Sequence, residues 1–108
     1  MSVRETDIID AMAESDNKLV MQVFDQVTWE IAQVEHLKLL QNKLNNYIRY
    51  IDHKGWKDKF GDVEYDRYEI EIIFSYSYPP AFEKMIELVK DKLDAKNISI
   101  IYRVYDEG

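Results

Sequence analysis

The sequence predicts an α+β fold: a two-layer sandwich in which a small mixed or antiparallel sheet carries two helices packed on one face. Three observations lead there. The chain has 108 residues, the size of one domain, and is read as a single domain over 1–108. Its apolar spacing alternates between period two and gaps of three and four, in the order strand or hairpin, helix, strand, helix, strand. Only 3 Gly and 2 Pro punctuate it, so each break carries information.

Residues 7–12 read as an edge strand or a helical turn, and the turn formers Glu14, Ser15, Asp16 and Asn17 follow. Residues 18–25, KLVMQVFD, form a compact, partly β-branched strand that can pair with 7–12 as a hairpin. A long helix is expected from about Trp29 to Asp52, with Asp25 and Thr28 as candidate N-caps. Its inner stripe is Ile31, Val34, Leu37, Leu40, Leu44, Ile48 and Ile51, with Tyr47 beside it and Gly55 as the stop. Residues 56–66 read as a polar loop broken at Gly61. Residues 68–78 alternate as a strand, with Tyr68, Ile70, Ile72, Phe74, Tyr76 and Tyr78 on one side and Glu69, Glu71, Ile73, Ser75 and Ser77 on the other. Pro79 and Pro80 end it and open a second helix to about Ala95, striped by Phe82, Ile86, Val89 and Leu93. Asn97 suits a left-handed stop, and residues 98–105 form the last strand, with Ile98, Ile100, Tyr102 and Val104 on one face.

Charge narrows the function classes. The formal net charge is -7, which repels nucleic-acid phosphate and attracts cationic proteins. Residues 1–35 carry eight acids against two bases, whereas 36–60 carry six bases against two acids. The basic segment, Lys38, Lys43, Arg49, Lys54, Lys57 and Lys59, reads as a solvated helix face and loop. Without cysteine there is no disulfide, thiol nucleophile or cysteine-zinc site. The N-terminus is acidic with no apolar signal core, and no apolar run is long enough to span a bilayer, so the expected location is cytoplasmic, away from membranes.

The chemical constellations are weak. His36 and His53 are 17 residues apart, about 25 Å along one helix, too far to share a metal. His36 is expected on the helix surface or in a capping role, and His53 suits a helix C-terminus. No serine sits in GxSxG and no glycine-rich phosphate loop occurs. Glu69 and Glu71 project from one strand face about 7 Å apart, and a solvated sheet face explains them better than a catalytic pair. Asp62, Glu64 and Asp66 match calcium-loop spacing only loosely. The expectation is a non-enzyme with no metal and no cofactor. Trp56, in a charged loop without periodic context, is either a lid over the core or a partner anchor.

Read as a whole, the helix carries Trp29, Glu35-His36-Leu37, Leu39-Leu40-Gln41, Lys43-Leu44-Asn45 and Tyr47. This pattern, W-x5-EHL-x-LLQ-x-K-x-N-x-Y, resembles that of a family of small uncharacterised bacterial proteins, a domain of unknown function. Asp7-Ile8-Ile9-Asp10 and Tyr78-Pro79-Pro80 match the same family's early acidic stretch and aromatic-Pro turn. The resemblance implies the same fold. Physically, Trp29 can seal the helix start against the sheet, and Glu35, Gln41 and Asn45 can tie backbone or neighbouring loops. Residues 55–67 depart from the family's shorter, more apolar link. In size and acidity the chain also resembles immunity proteins of bacterial contact-dependent growth inhibition systems. That likeness implies a protein-binding inhibitor of a cognate toxin domain, basic and often a nuclease, with acidic side chains standing where substrate phosphate would. The partner-binding residues expected on this reading are Trp56, Asp58, Asp62, Glu64, Asp66, Glu69 and Glu71. The competing expectation is a non-catalytic structural or regulatory protein that pairs with a second copy of itself.

Overall fold

A computed structural model describes residue 3 and residues 5–105. The elements are β1 (Ala11–Ser15), β2 (Lys18–Asp25), α1 (Gln33–Asp52), α2 (Lys57–Phe60), β3 (Arg67–Phe74), α3 (Pro80–Asp94) and β4 (Ile98–Val104). The sheet order is β1-β2-β3-β4. β1 and β2 pair antiparallel, whereas β2–β3 and β3–β4 are parallel. The sheet is therefore mixed. Two crossovers, through α1 and α3, step the chain in one direction, and the right-handed rule for such units lays both helices on the same face.

The hairpin sits later than its sequence suggests. Glu14 and Ser15 belong to β1, and the turn is only Asp16-Asn17, with φ of 48° and 63°. Positive φ at both central residues is what a type I′ turn requires, and Asp and Asn tolerate it best after Gly.

α1 begins at Gln33, not Trp29, and neither Asp25 nor Thr28 caps it. Asp25 accepts the Val27 amide at 3.1 Å and Thr28 accepts the Glu30 amide at 3.3 Å. Both side chains are spent on local turns, which postpones the helix. Ala32, left-handed at φ 55°, precedes the first turn. Ile31 and Val34 consequently lie outside the core, 76% and 65% exposed. The buried face is His36, Leu40, Lys43, Leu44, Tyr47 and Ile51. At the other end Lys54, not Gly55, takes the left-handed position at φ 54°. Lys54 donates to the Ile51 carbonyl and Gly55 to the Tyr50 carbonyl, the paired bonds of a Schellman stop. Gly55 is needed for another reason: a Cβ there would lie 2.5 Å from the Tyr50 ring.

β2 alternates faces residue by residue, burying Leu19, Met21, Val23 and Asp25. Register places these beside Tyr68, Ile70, Ile72 and Phe74 of β3, which lie beside Ile98, Ile100, Tyr102 and Val104 of β4. The helices cover this face. β3 ends at Phe74, short of the expected Tyr78; the Ser75 amide, donating to the Asp25 carbonyl, is the last rung of its ladder with β2, which itself stops at Asp25. Tyr78 still packs inward, 5.2 Å from both the Phe74 and Tyr102 rings. Asn97 adopts the expected left-handed conformation, φ 61°.

Candidate functional site

The seven residues singled out from the sequence fall into three settings. Trp56 is fully buried, its indole N–H donating to the Val63 carbonyl at 2.8 Å and its ring 5.4 Å from those of Tyr65 and Tyr68. It is the lid, and the anchor reading is corrected: no face of the ring is offered to a partner. The segment around it is not simply polar, since it buries Tyr65, half-buries Phe60 and Val63, and contains the single turn α2.

Asp58, Asp62, Glu64 and Asp66 are exposed in the α2–β3 segment. Lys54 and Lys57 both reach Glu64, at 3.2 and 3.4 Å, and Lys57 lies 3.7 Å from Asp62. These lysines hold the Glu64 carboxyl below its usual range. The Asp66 amide donates to the Asn17 carbonyl, which brings this segment to the hairpin turn, at the end of the sheet where β2 and β3 begin.

Glu69 and Glu71 lie on the sheet face away from the helices. Successive rows across that face read Ala13–Val20–Glu69–Ser99, Ala11–Gln22–Glu71–Ile101 and Phe24–Ile73–Arg103. Glu69 accepts from Lys18 at 3.2 Å. Glu71 accepts from Gln22 at 2.7 Å and from Arg103 at 3.5 Å. Beside Glu71 is a shallow depression of about 440 Å3, with Phe24, Ile73 and Tyr105 among the residues that form it. A carboxylate next to apolar and aromatic surface suits a cationic side chain, whose head pairs with the carboxylate while its stem covers carbon.

Two buried polar clusters were not singled out in the sequence. In the first, the Lys43 ammonium, expected on a solvated face, is fully buried and donates at 2.8 Å to Asp10 Oδ1 and at 2.8 Å to the Glu5 carbonyl. Asp10 Oδ2 accepts the Phe24 amide at 2.8 Å. The Tyr47 hydroxyl accepts the Asp10 amide and donates to the Gln22 carbonyl, and burial pushes its ionisation well above the usual phenol value. The second lies where β2 meets α1. His36, expected on the surface, is 3% exposed; its Nε2 is 2.6 Å from Asp25 Oδ2 and its ring stacks on Trp29 at 3.6 Å. Burial pushes the Asp25 carboxyl up, against the opposing hydrogen bond from His36. Trp29 Nε1 and His36 Nδ1 are buried without a hydrogen-bond partner. Both side chains of the Asp25–His36 pair are at most 2% exposed, so the pair fastens the crossover from inside the fold. Spacing held a signal for these residues: His36, Leu40, Lys43 and Tyr47 follow gaps of four, three and four, and Asp25 shares parity with Leu19, Met21 and Val23. Loop tying falls to Asn46, which donates to the Thr6 carbonyl at 2.7 Å; Glu35, Gln41 and Asn45 are exposed.

Among the described residues no group of three or more His, Asp or Glu gathers to hold a metal ion. No helix there is long and apolar enough to cross a membrane. Fold and surface define a small α+β protein with a mixed four-stranded sheet, helices on one face and a polar-apolar second face. The chain belongs to the family of unknown function DUF6572, whose sequence pattern matches residues 1–106. No curated protein and no solved structure matches it.

Proposed function

We propose that the chain is a protein-binding inhibitor, an immunity protein that neutralises a basic toxin domain by direct binding. The observation that carries this reading is the depression on the helix-free face, lined by Phe24, Ile73 and Tyr105 together with Gln22 and Arg103, the two side chains that hold Glu71 at its border. An arginine or lysine of the partner displaces Arg103 from Glu71, a 3.5 Å contact made by a half-exposed side chain and therefore weakly held. The net charge of -7 steers a cationic partner toward the chain, and Asp58 and Asp66 add carboxylates at one end of the sheet beside Asp62 and Glu64, which Lys54 and Lys57 already pair.

The test is protection. The toxin candidate is the domain encoded beside this chain's gene, expressed with and without the chain in a sensitive host. Survival with the chain, lost on Glu71→Lys at unchanged protein level, is the expected result. Equal killing with and without the chain refutes the reading.

A further inference from the structure

β4 is the last strand of the sheet, and no strand pairs with its outer side among the described residues. Its hydrogen bonds to β3 begin with Tyr68 N–H to the Asn97 carbonyl and end with Tyr105 N–H to the Phe74 carbonyl. Parallel pairing uses alternate residues, so Ser99, Ile101 and Arg103 turn their backbone groups toward β3. Ile98, Ile100, Tyr102 and Val104 turn theirs to the open edge. Natural edges are blunted by proline, lysine, bulges or shortness. β4, ISIIYRV, is seven residues long, with neither proline nor lysine, and is rich in β-branched side chains.

Along this edge runs a groove of about 290 Å3 between β4 and α3. Its floor is Leu93, Ile98, Ile100 and Tyr102, and Glu87, Lys90 and Asp94 stand on its helical wall. Glu83 and Glu87 are close enough to Tyr102 to add to the effect of burial in keeping its hydroxyl protonated. Two carboxylates, Glu87 and Asp94, therefore face one ammonium, Lys90, along the wall. On the opposite face of β4, Ile101 is 43% exposed.

We propose that the β4 edge and the β4–α3 groove take up an extended segment of a partner protein as a fifth strand, one that alternates basic and β-branched residues. The open amides and carbonyls supply main-chain affinity, as in other strand-addition complexes. Lys or Arg stems lie over Ile98, Ile100 and Tyr102 while their heads reach Glu87 and Asp94. The β-branched residues continue the other face beside Ile101. A second copy of β4 fits less well, because Arg103 is the single basic residue of that strand and cannot supply an alternating row of cations. The surface differs from the Glu71 depression, and the proposal stands whether or not the partner is a toxin.

The test is residue-resolved amide exchange on the full chain, with two capped peptide probes, one alternating Lys and Val and the other Glu and Val. In the free chain, Ile100 and Tyr102 amides exchange quickly while Ser99, Ile101 and Arg103 are protected. The Lys-Val probe is expected to slow Ile100 and Tyr102 several-fold, and the Glu-Val probe to leave them unchanged. Val104→Pro removes an outward amide without touching the bonds to β3, and Glu87→Lys reverses a wall charge. Each is expected to weaken protection by the Lys-Val probe, with slow exchange at Ser99, Ile101 and Arg103 showing that the sheet is intact. No protection at about 1 mM probe, a concentration that half-saturates even a site with a Kd of about 1 mM, overturns the proposal. So does equal protection by both probes, undiminished protection in Val104→Pro, or protection of the free chain that grows with its concentration, which would seat a second copy on the edge.

Discussion

The two parallel crossovers of this sheet are secured by different chemistry. The first, β2–α1–β3, buries charge: Lys43 on Asp10, and His36 against Asp25. The second, β3–α3–β4, is held by rings, with Phe82 edge-on to both Phe74 and Tyr102 at 4.9 Å and Tyr78 closing the group. Aromatic burial is proportional to area and degrades gradually as atoms are removed. A buried ion pair fixes one register and one depth of helix against sheet, but fails abruptly when one partner is lost.

This contrast yields variants in decreasing order of effect. Lys43→Met strands the fully buried Asp10 carboxylate and should cost about 3–5 kcal/mol in denaturant unfolding. Adding Asp10→Asn removes the stranded charge while keeping an acceptor for the Phe24 amide, and should restore part of the loss; a strictly additive pair would disprove the coupling. Phe82→Ala empties the centre of the ring cluster, at a cost of about 3–5 kcal/mol, whereas Phe82→Leu should cost only about 1 kcal/mol. A Leu penalty equal to the Ala penalty would mean that the rings act through directional contacts after all.

Asp25 sharpens the comparison through pH. Asp25→Ala removes the acceptor of both His36 and the Val27 amide and should cost about 2–3 kcal/mol. Asp25→Asn keeps the shape. Because the folded protein raises the Asp25 carboxyl above 3.8, its linked stability is fully present below 3.8 and is lost as pH rises through the raised value. The stability of the wild type relative to Asp25→Asn should therefore fall as pH rises across that window, and a difference that rises would contradict the assignment. At the small end, Glu64→Gln removes an exposed carboxylate shared by two lysines, and the melting temperature should not move.

The same contrast explains what the sequence revealed. The ring-held half was legible: Ile70, Ile72 and Phe74 alternate, Phe82, Ile86 and Leu93 stripe a helix, and Asn97 marks its stop. Those signals are local, and apolar periodicity encodes them directly. The charge-held half was not. Spacing puts Lys43 on the face of His36, Leu40 and Tyr47, but its burial depends on Asp10, 33 residues away, and on the Glu5 carbonyl, and buried lysines are too rare for spacing alone to identify one. His36 needed Asp25 for the same reason. The delayed start of α1 had a local cause, competition by Asp25 and Thr28 for nearby amides, yet these residue types favour capping and turning alike. On the candidate surface, Glu69 and Glu71 were placed on one face by parity, but the partners that hold them, Lys18, Gln22 and Arg103, come from neighbouring strands whose parallel pairing is a tertiary choice.

The most direct measurement of the proposed binding role is calorimetric titration of the full chain with the candidate partner, the purified C-terminal domain of the neighbouring gene's product, at low and high salt. One-to-one binding that weakens with salt, and is abolished by Glu71→Lys while the fold is retained, is the expected result. Absence of binding at low salt, or binding that Glu71→Lys leaves untouched, would contradict a partner seated on the helix-free face.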